Sequence, residues 1–209
     1  MSVIILTGKS CSGKDSVRGE LEKLGFENIV SYTSRSMRIG EREGREYKYI
    51  NKEEFLNLID NNEMIEYRTY NTKFNNKPDT WYYGLRKQEL DKDKDYIVIL
   101  DLKGVENFIK YYGKENCFIV YMCCIADERK RRAIARGSFD NTEWERRAVA
   151  DEIDFKESEV NRLTQFTMVN MSDDVNDIPK IAQILKRVYE QRMKGTKYDK
   201  HNRKRRNSK

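Results

Sequence analysis

The sequence predicts an α/β fold, a mostly parallel sheet flanked by helices with a small lobe inserted into it, on three observations. Short apolar runs at 3–7, 96–100, 118–122 and 166–169 have the length and two-sided apolarity of buried parallel strands. Helical periodicity fills the segments between them, the alternation that gives a sheet covered on both faces. The stretch 28–90 breaks this alternation: it is tyrosine-rich, heavily charged and interrupted by Gly40, Gly44 and the Asn-rich run around Asn71–Asp79.

The elements follow in order. Val3-Ile4-Ile5-Leu6-Thr7 ends at a glycine and reads as the first strand. Val17, Leu21 and Leu24 recur at helical spacing until Gly25 stops the helix. Region 28–90 is expected to hold short strands and one helix near 52–60. Tyr96–Leu100, Phe118–Met122 and Phe166–Val169 are the later strands, with helices near 103–111 and 127–136 between them. Residues 138–163 are charged and helical, the composition of a lid. A last helix near 174–192 sets Ile178, Ile181, Ala182, Leu185, Val188 and Tyr189 on one face.

Composition narrows the function. Of the formal charge of +6, the segment 192–209 carries +8 (nine Lys/Arg against one Asp), so residues 1–191 sum to −2 and the basic character belongs to a tail. That tail is expected to be disordered; it is either a polyanion-binding arm or a solvated terminus, and the lack of interleaved aromatics beyond Tyr198 favours the terminus. The single histidine, His201, lies in the tail, which argues against a Ser-His-Asp triad, a Cys-His dyad or a His-ligated metal site. No apolar run approaches the roughly 18 residues of a membrane span. The start MSVIILTGKS has no positive n-region, and the four cysteines have no disulfide-like spacing, so a cytoplasmic, membrane-free chain is expected.

Gly8-Lys9-Ser10-Cys11-Ser12-Gly13-Lys14-Asp15 fits GxxxxGK between a strand and a helix. Such a loop aims successive N–H groups at a phosphate chain, the helix adds its positive end, and Lys14 adds a point charge. Asp15 stands where a Mg²⁺-ligating hydroxyl is usual; its carboxylate, or Ser16, is the candidate metal ligand. Cys11 is either a reactive thiol or a small filler. Asp101, at the end of a predicted strand, is either a group orienting Mg²⁺ or the acceptor, or an N-cap. Arg35 and Arg38, three apart in a glycine-bounded loop, can grip a phosphate from two sides or form a solvated basic surface.

Residues 31–55, SYTSRSMRIGEREGREYKYINKEEF, contain a Ser, then Thr-x-Arg-x-x-Arg-x-Gly-Glu, a Gly, a Tyr and a closing Glu-Glu-Phe. Asn62-Glu63-Met64-Ile65-Glu66-Tyr67, Tyr82-Tyr83-Gly84, Arg132-Ala133-Ile134-Ala135-Arg136-Gly137, Arg147 and Val169-Asn170 follow in order. Together these elements resemble the guanylate kinase family over roughly residues 3–190. The resemblance implies a P-loop kinase fold with a core of 1–27 and 95–191, a nucleoside-monophosphate lobe at 28–90 and a lid at 138–163. It implies ATP on Gly8–Ser16 with Asn170 near the adenine, and Mg²⁺ held by Asp15, Ser16 or Asp101. The acceptor, GMP or dGMP, would lie on Ser31, Arg35, Arg38, Tyr47, Glu66, Tyr83 and Asp101. Charge stabilisation would fall to Lys14, Arg35, Arg132, Arg136 and Arg147. Three departures bear on the base rather than on phosphate capture: Leu85 replaces a family hydroxyl, Ile99 replaces a family Asp, and the link spanning Thr72–Trp81 is longer. The alternatives are a kinase for another small phosphorylated acceptor and a non-catalytic guanylate-kinase-like binding module.

Overall fold

The computed structural model describes residues 1–38, 40–74, 77–135, 137, 139–171 and 177–194. Its main sheet has strand order β2-β7-β1-β8-β9, all parallel, formed by β1 (Ser2–Thr7), β2 (Glu27–Asn28), β7 (Asp95–Ile99), β8 (Cys117–Cys123) and β9 (Phe166–Val169). Alternate residues of β1 serve opposite faces, as strand geometry dictates. Ile4 and Leu6 pack with Val17 and Leu21 of α1 (Lys14–Lys23) and with Ile181, Leu185 and Tyr189 of α7 (Asp177–Tyr189). Val3 and Ile5 pack on the other side with Val105 and Phe108 of α3 (Leu102–Tyr112). All four central residues of β1 are completely buried, so the loop that follows is mounted on the most rigid strand of the molecule.

The edge strand β2 moves the core boundary, because Asn28 pairs with Ile97 and the Ile29 N–H donates to the Ile97 carbonyl at 2.8 Å. At the other end the helix does not stop at 191. A π-helical turn, Glu190–Lys194, continues α7 and buries Met193, so the expected tail loses its first three residues to the fold. Residues 195–209 lie outside the described residues.

The lobe carries a second sheet, order β4-β3-β6-β5, from β3 (Tyr32–Thr33), β4 (Lys48–Tyr49), β5 (Met64–Phe74) and β6 (Lys77–Arg86). Short strands were expected here. β3 and β4, two residues each, are of that kind, while β5 and β6 form a long antiparallel hairpin whose pairing runs from Met64↔Arg86 to Phe74↔Lys77, so the described part of the Asn-rich stretch extends the ladder. The lobe helix α2 (Lys52–Asp60) starts with a reciprocal capping box: Glu54 N–H donates to Asn51 Oδ1 at 2.8 Å and Asn51 N–H to Glu54 Oε2 at 2.9 Å.

After β8 come α4 (Ala126–Ala135), α5 (Asn141–Asp154) and α6 (Glu157–Leu163). Val160 and Leu163 of α6 pack with Leu102 of α3 and with Phe155, which places α6 in the body. Within the expected lid, 138–163, α6 therefore belongs to the body.

Candidate active site

The turn from β1 into α1 has a shape only glycine permits at two positions. Gly8 has φ +147°, and a Cβ there would lie 2.6 Å from the Met122 carbonyl. At Gly13 φ is +93°, and a Cβ would lie 2.2 Å from Asn170 Nδ2. Gly13 caps α1 with no side-chain hydrogen bond, which leaves the first-turn N–H groups for an anion. Lys14 Nζ curls over the loop, donating to the Gly8 carbonyl at 2.6 Å and the Lys9 carbonyl at 2.9 Å. Ser12 is completely buried, and the half-buried Cys11 adopts φ 60°.

Asn170, expected beside adenine, is instead fully enclosed and braces the loop: its Nδ2 donates to the Ser12 carbonyl at 3.0 Å. Arg132 stands behind it, held by Glu128 at 2.5 Å and donating to the Asn170 carbonyl at 3.2 Å. The second brace was not foreseen from the sequence. Asp151 of α5 accepts from the Ser10 N–H at 2.9 Å and from the Ser10 hydroxyl at 3.1 Å, and Arg129 of α4 donates to the same carboxylate at 2.9 Å. Arg129 and Asp151 are both buried, and the guanidinium lies over the Trp144 ring. Lys9 pairs with Glu152 one residue on. The helix α5 is thus tied to the phosphate loop by charges on both sides of Ser10. One signal was legible: Asp127–Arg132 of α4 is an unbroken run of charged residues, and its buried residues Glu128 and Arg129 come from that run.

The acceptor side is built by the lobe. Arg35 is buried and held in bidentate fashion by Glu41 at 2.6 and 2.7 Å, with the Tyr47 and Tyr49 rings against it. Burial works against ionisation of Glu41, but hydrogen bonds from Arg35, the Arg38 backbone and Tyr49 outweigh it and hold the carboxyl down at about 2. Arg38 is pushed the other way, its pKa lowered by desolvation and by repulsion from Arg35 and Arg147. Three cations, Arg35, Arg38 and Arg147, therefore converge near Tyr83, two of them steadied by Glu41 and Glu143. Glu143 holds Arg146 and Arg147 side by side at 2.7 Å each.

One cleft of about 310 Å³ brings the two halves together. Gly8, Ser10 and Lys14 line it from the loop, Ser31, Arg35, Arg38, Tyr47, Glu66, Tyr83 and Asp101 from the acceptor side, and Arg147 from α5. Arg68 and Arg146 also line it and were not expected. Leu85, which replaces a family hydroxyl, is fully buried in the core below the sheet and does not face the cleft. Arg136 lies outside the described residues.

The expected metal ligands divide. Asp101 Oδ1 already accepts from the Gly104 N–H at 2.6 Å and from Arg68 at 3.0 Å, which makes Asp101 the N-cap of α3 and an ion-pair partner. Asp15 and Ser16 are exposed at the head of α1, with Asp15 3.7 Å from Arg18. Among the described residues no group of three or more His, Cys, Asp or Glu gathers as a metal cage. Mg²⁺ beside nucleotides takes one or two protein oxygens plus phosphates and water, so the exposed oxygens of Asp15 and Ser16 suit that ion, whereas Asp101 already spends its Oδ1 on Gly104 and Arg68.

The guanylate kinase family model matches residues 1–191, which spans both the loop and the lobe. The chain belongs to the guanylate kinase family. It is a nucleoside monophosphate kinase, an ATP-binding phosphotransferase. A guanylate kinase from Clostridium tetani is 33% identical over 192 residues, covering 88% of this chain and 84% of its own. One from Salinibacter ruber is 29% identical over 191 residues, covering 90% and 95%. The crystal structure of a guanylate kinase from Anaplasma phagocytophilum superposes with a TM-score of 0.60 at 23% identity, over 92% of this chain and 86% of that one, and shares the fold. Among the described residues no helix is long and apolar enough to cross a membrane.

Proposed function

We propose that the chain transfers the terminal phosphoryl group of ATP to GMP or dGMP, giving ADP and the nucleoside diphosphate. The observation that carries this reading is the single cleft in which Lys14 and the phosphate loop face the Arg35, Arg38 and Arg147 cluster and the Glu66 carboxylate. ATP would lie with its phosphates on the loop N–H groups and Lys14. The acceptor phosphate would lie among the three arginines, with Tyr47 and Tyr83 donating beside them.

The acceptor's phosphate oxygen is already anionic at neutral pH, so the transfer needs no general base. Catalysis is alignment plus charge neutralisation, which a site without histidine can supply. Bound Mg²⁺ would neutralise charge on the phosphates, held at Asp15 and Ser16. Arg147 and Arg146 ride on α5, and closing that helix over the cleft would exclude water. Arg132, behind Gly13, is placed to steady the loop from the ATP side, and Arg136 is proposed as a further charge stabiliser.

Guanine is favoured because Glu66 is a buried carboxylate at the acceptor end of the cleft. Guanine offers it two donors, N1–H and the 2-amino group, and Ser31 can donate to O6. Adenine would turn a bare N1 acceptor toward the same carboxylate, leaving buried polar groups unpaired. A coupled assay with each monophosphate in turn tests this, with GMP and dGMP expected as good substrates and AMP, CMP and UMP as poor ones. Glu66→Ala should raise KM for GMP and flatten the preference. AMP or a pyrimidine monophosphate used as well as GMP would refute the guanine assignment and leave only the phosphotransferase class.

A further inference from the structure

Glu66 and Arg68 are two residues apart on β5 and so share one face of the strand. Across from them stands Asp101, at the head of α3. The Arg68 guanidinium spans the gap, donating to Asp101 Oδ1 at 3.0 Å and lying 3.4 Å from Glu66 Oε2. A second hydrogen bond, from Arg68 Nη1 to the Tyr67 carbonyl at 2.6 Å, fixes the plane of the fork. All three charged groups line the acceptor end of the cleft.

We propose that Arg68 is a positioning residue for base recognition: by bridging Glu66 and Asp101 it orients the Glu66 carboxylate as the acceptor for guanine's paired donors, and the base preference depends on it. This inference rests on the guanine reading above.

Without the bridge, two carboxylates would face each other in a partly dry cleft, and one of them would take up a proton. Glu66 is the more enclosed, with its side chain 8% exposed against 26% for Asp101. Burial and the Asp101 charge push Glu66 up to about 7, and Arg68 is the group that opposes them. From α5, Asp154 adds a further carboxyl, itself raised by burial and by Asp101 and Asp151, and also opposed by Arg68. Tyr70, on the same strand, feels Asp101 and Asp154 and stays neutral. Removing Arg68 therefore takes away the cation common to all three acids. A protonated Glu66 has one acceptor oxygen and one hydroxyl, which no longer matches two adjacent donors.

The test measures KM and kcat for GMP between pH 6 and 9 in the full-length wild type, Arg68→Met and Arg68→Lys, with AMP and IMP (which lacks the 2-amino group) as comparison acceptors. The wild-type KM for GMP should rise as pH falls through about 7, because Glu66 then takes up its proton. The ionisation of the acceptor phosphate near pH 6 is common to all variants and cancels in their comparison. In Arg68→Met that inflection should move to higher pH, KM for GMP at pH 7 should rise by about tenfold or more, and kcat should change less than KM. The preference for GMP over IMP should shrink at the same time. Arg68→Lys, which keeps the charge without the fork, should hold the wild-type inflection with a KM between the other two.

A Met variant with unchanged KM and pH profile would overturn the inference, as would one that binds GMP more tightly, since the guanidinium would then merely occupy the base site. Should the Met variant fail to fold, a Lys variant indistinguishable from wild type in KM would overturn it instead. A wild-type enzyme indifferent between GMP and AMP would refute the guanine reading itself.

Discussion

The bolt between α5 and the phosphate loop makes a prediction with a definite magnitude. In Arg129→Leu the Asp151 carboxylate stays buried and keeps only the Ser10 N–H and hydroxyl. Removing one partner of a buried ion pair typically costs about 3–5 kcal/mol, because the other charge is stranded. At roughly 2–4 °C per kcal/mol for a chain of this size, thermal unfolding should fall by about 6–20 °C. Asp151→Ala strands the cation and should cost a similar amount. The pair itself is far from ideal, since Arg129 Nε is buried with no hydrogen-bond partner. The double variant Arg129→Leu/Asp151→Ala should therefore recover to within about 1–2 kcal/mol of wild type, as apolar replacements of buried pairs generally do. Activity should not recover with it. Ser10 loses its Asp151 anchor in Asp151→Ala and in the double variant, so KM for ATP should rise in both. Differential scanning calorimetry and steady-state kinetics on the four proteins read both arms. Arg129→Leu melting within about 2 °C of wild type would refute the reasoning, as would a double variant as unstable as the sum of its singles.

The remaining predictions are independent of that pair. Lys14→Ala should lower kcat by about 10²-fold or more in a protein that still folds, because the charge on the transferring group would lose its nearest cation. The Glu41 carboxyl sits at about 2 in the fold against an ordinary 4.5, so its contribution to stability is complete above about 4.5 and is lost as pH falls toward 2. Glu41→Gln should accordingly destabilise at pH 7 and flatten the acid limb of a melting-temperature profile; a limb of unchanged steepness would contradict the assignment. If the tail binds polyanions, truncation after Lys194 should abolish retention on heparin; kinase activity should survive it, whereas truncation after Gln191 should lower the melting temperature, because it removes the buried Met193.

Much of this architecture is legible in the sequence where the signal is local. The runs at 3–7, 96–100 and 118–122 are apolar on both faces, and only a sheet covered on both sides uses such strands. GxxxxGK is readable for the same reason, since its glycines are demanded by backbone geometry at Gly8 and Gly13. What escapes is decided by pairing across the fold. Turn-favouring Asn, Pro and Asp around Asn71–Asp79 conceal strands whose ladder is set by the partner strand. Glu41 is legible as the closing Glu of Thr-x-Arg-x-x-Arg-x-Gly-Glu, but nothing in the spacing says that it grips Arg35. Arg68 reads as one more charge in a charged lobe, and Arg129 and Asp151 are 22 residues apart on helices whose approach no periodicity specifies. Leu85 is the converse case. Read along the chain it looks like a lost hydroxyl in the base pocket, and in the fold it is a core residue whose strand position faces away from the cleft.

The most direct measurement gives the enzyme ATP, Mg²⁺ and an equimolar mixture of GMP, AMP, CMP and UMP, and separates the products by anion-exchange chromatography. GDP and ADP should accumulate one for one until GMP is exhausted while the other three monophosphates persist; ATP loss without GDP, or diphosphates formed equally from all four, would contradict the assignment of this cleft.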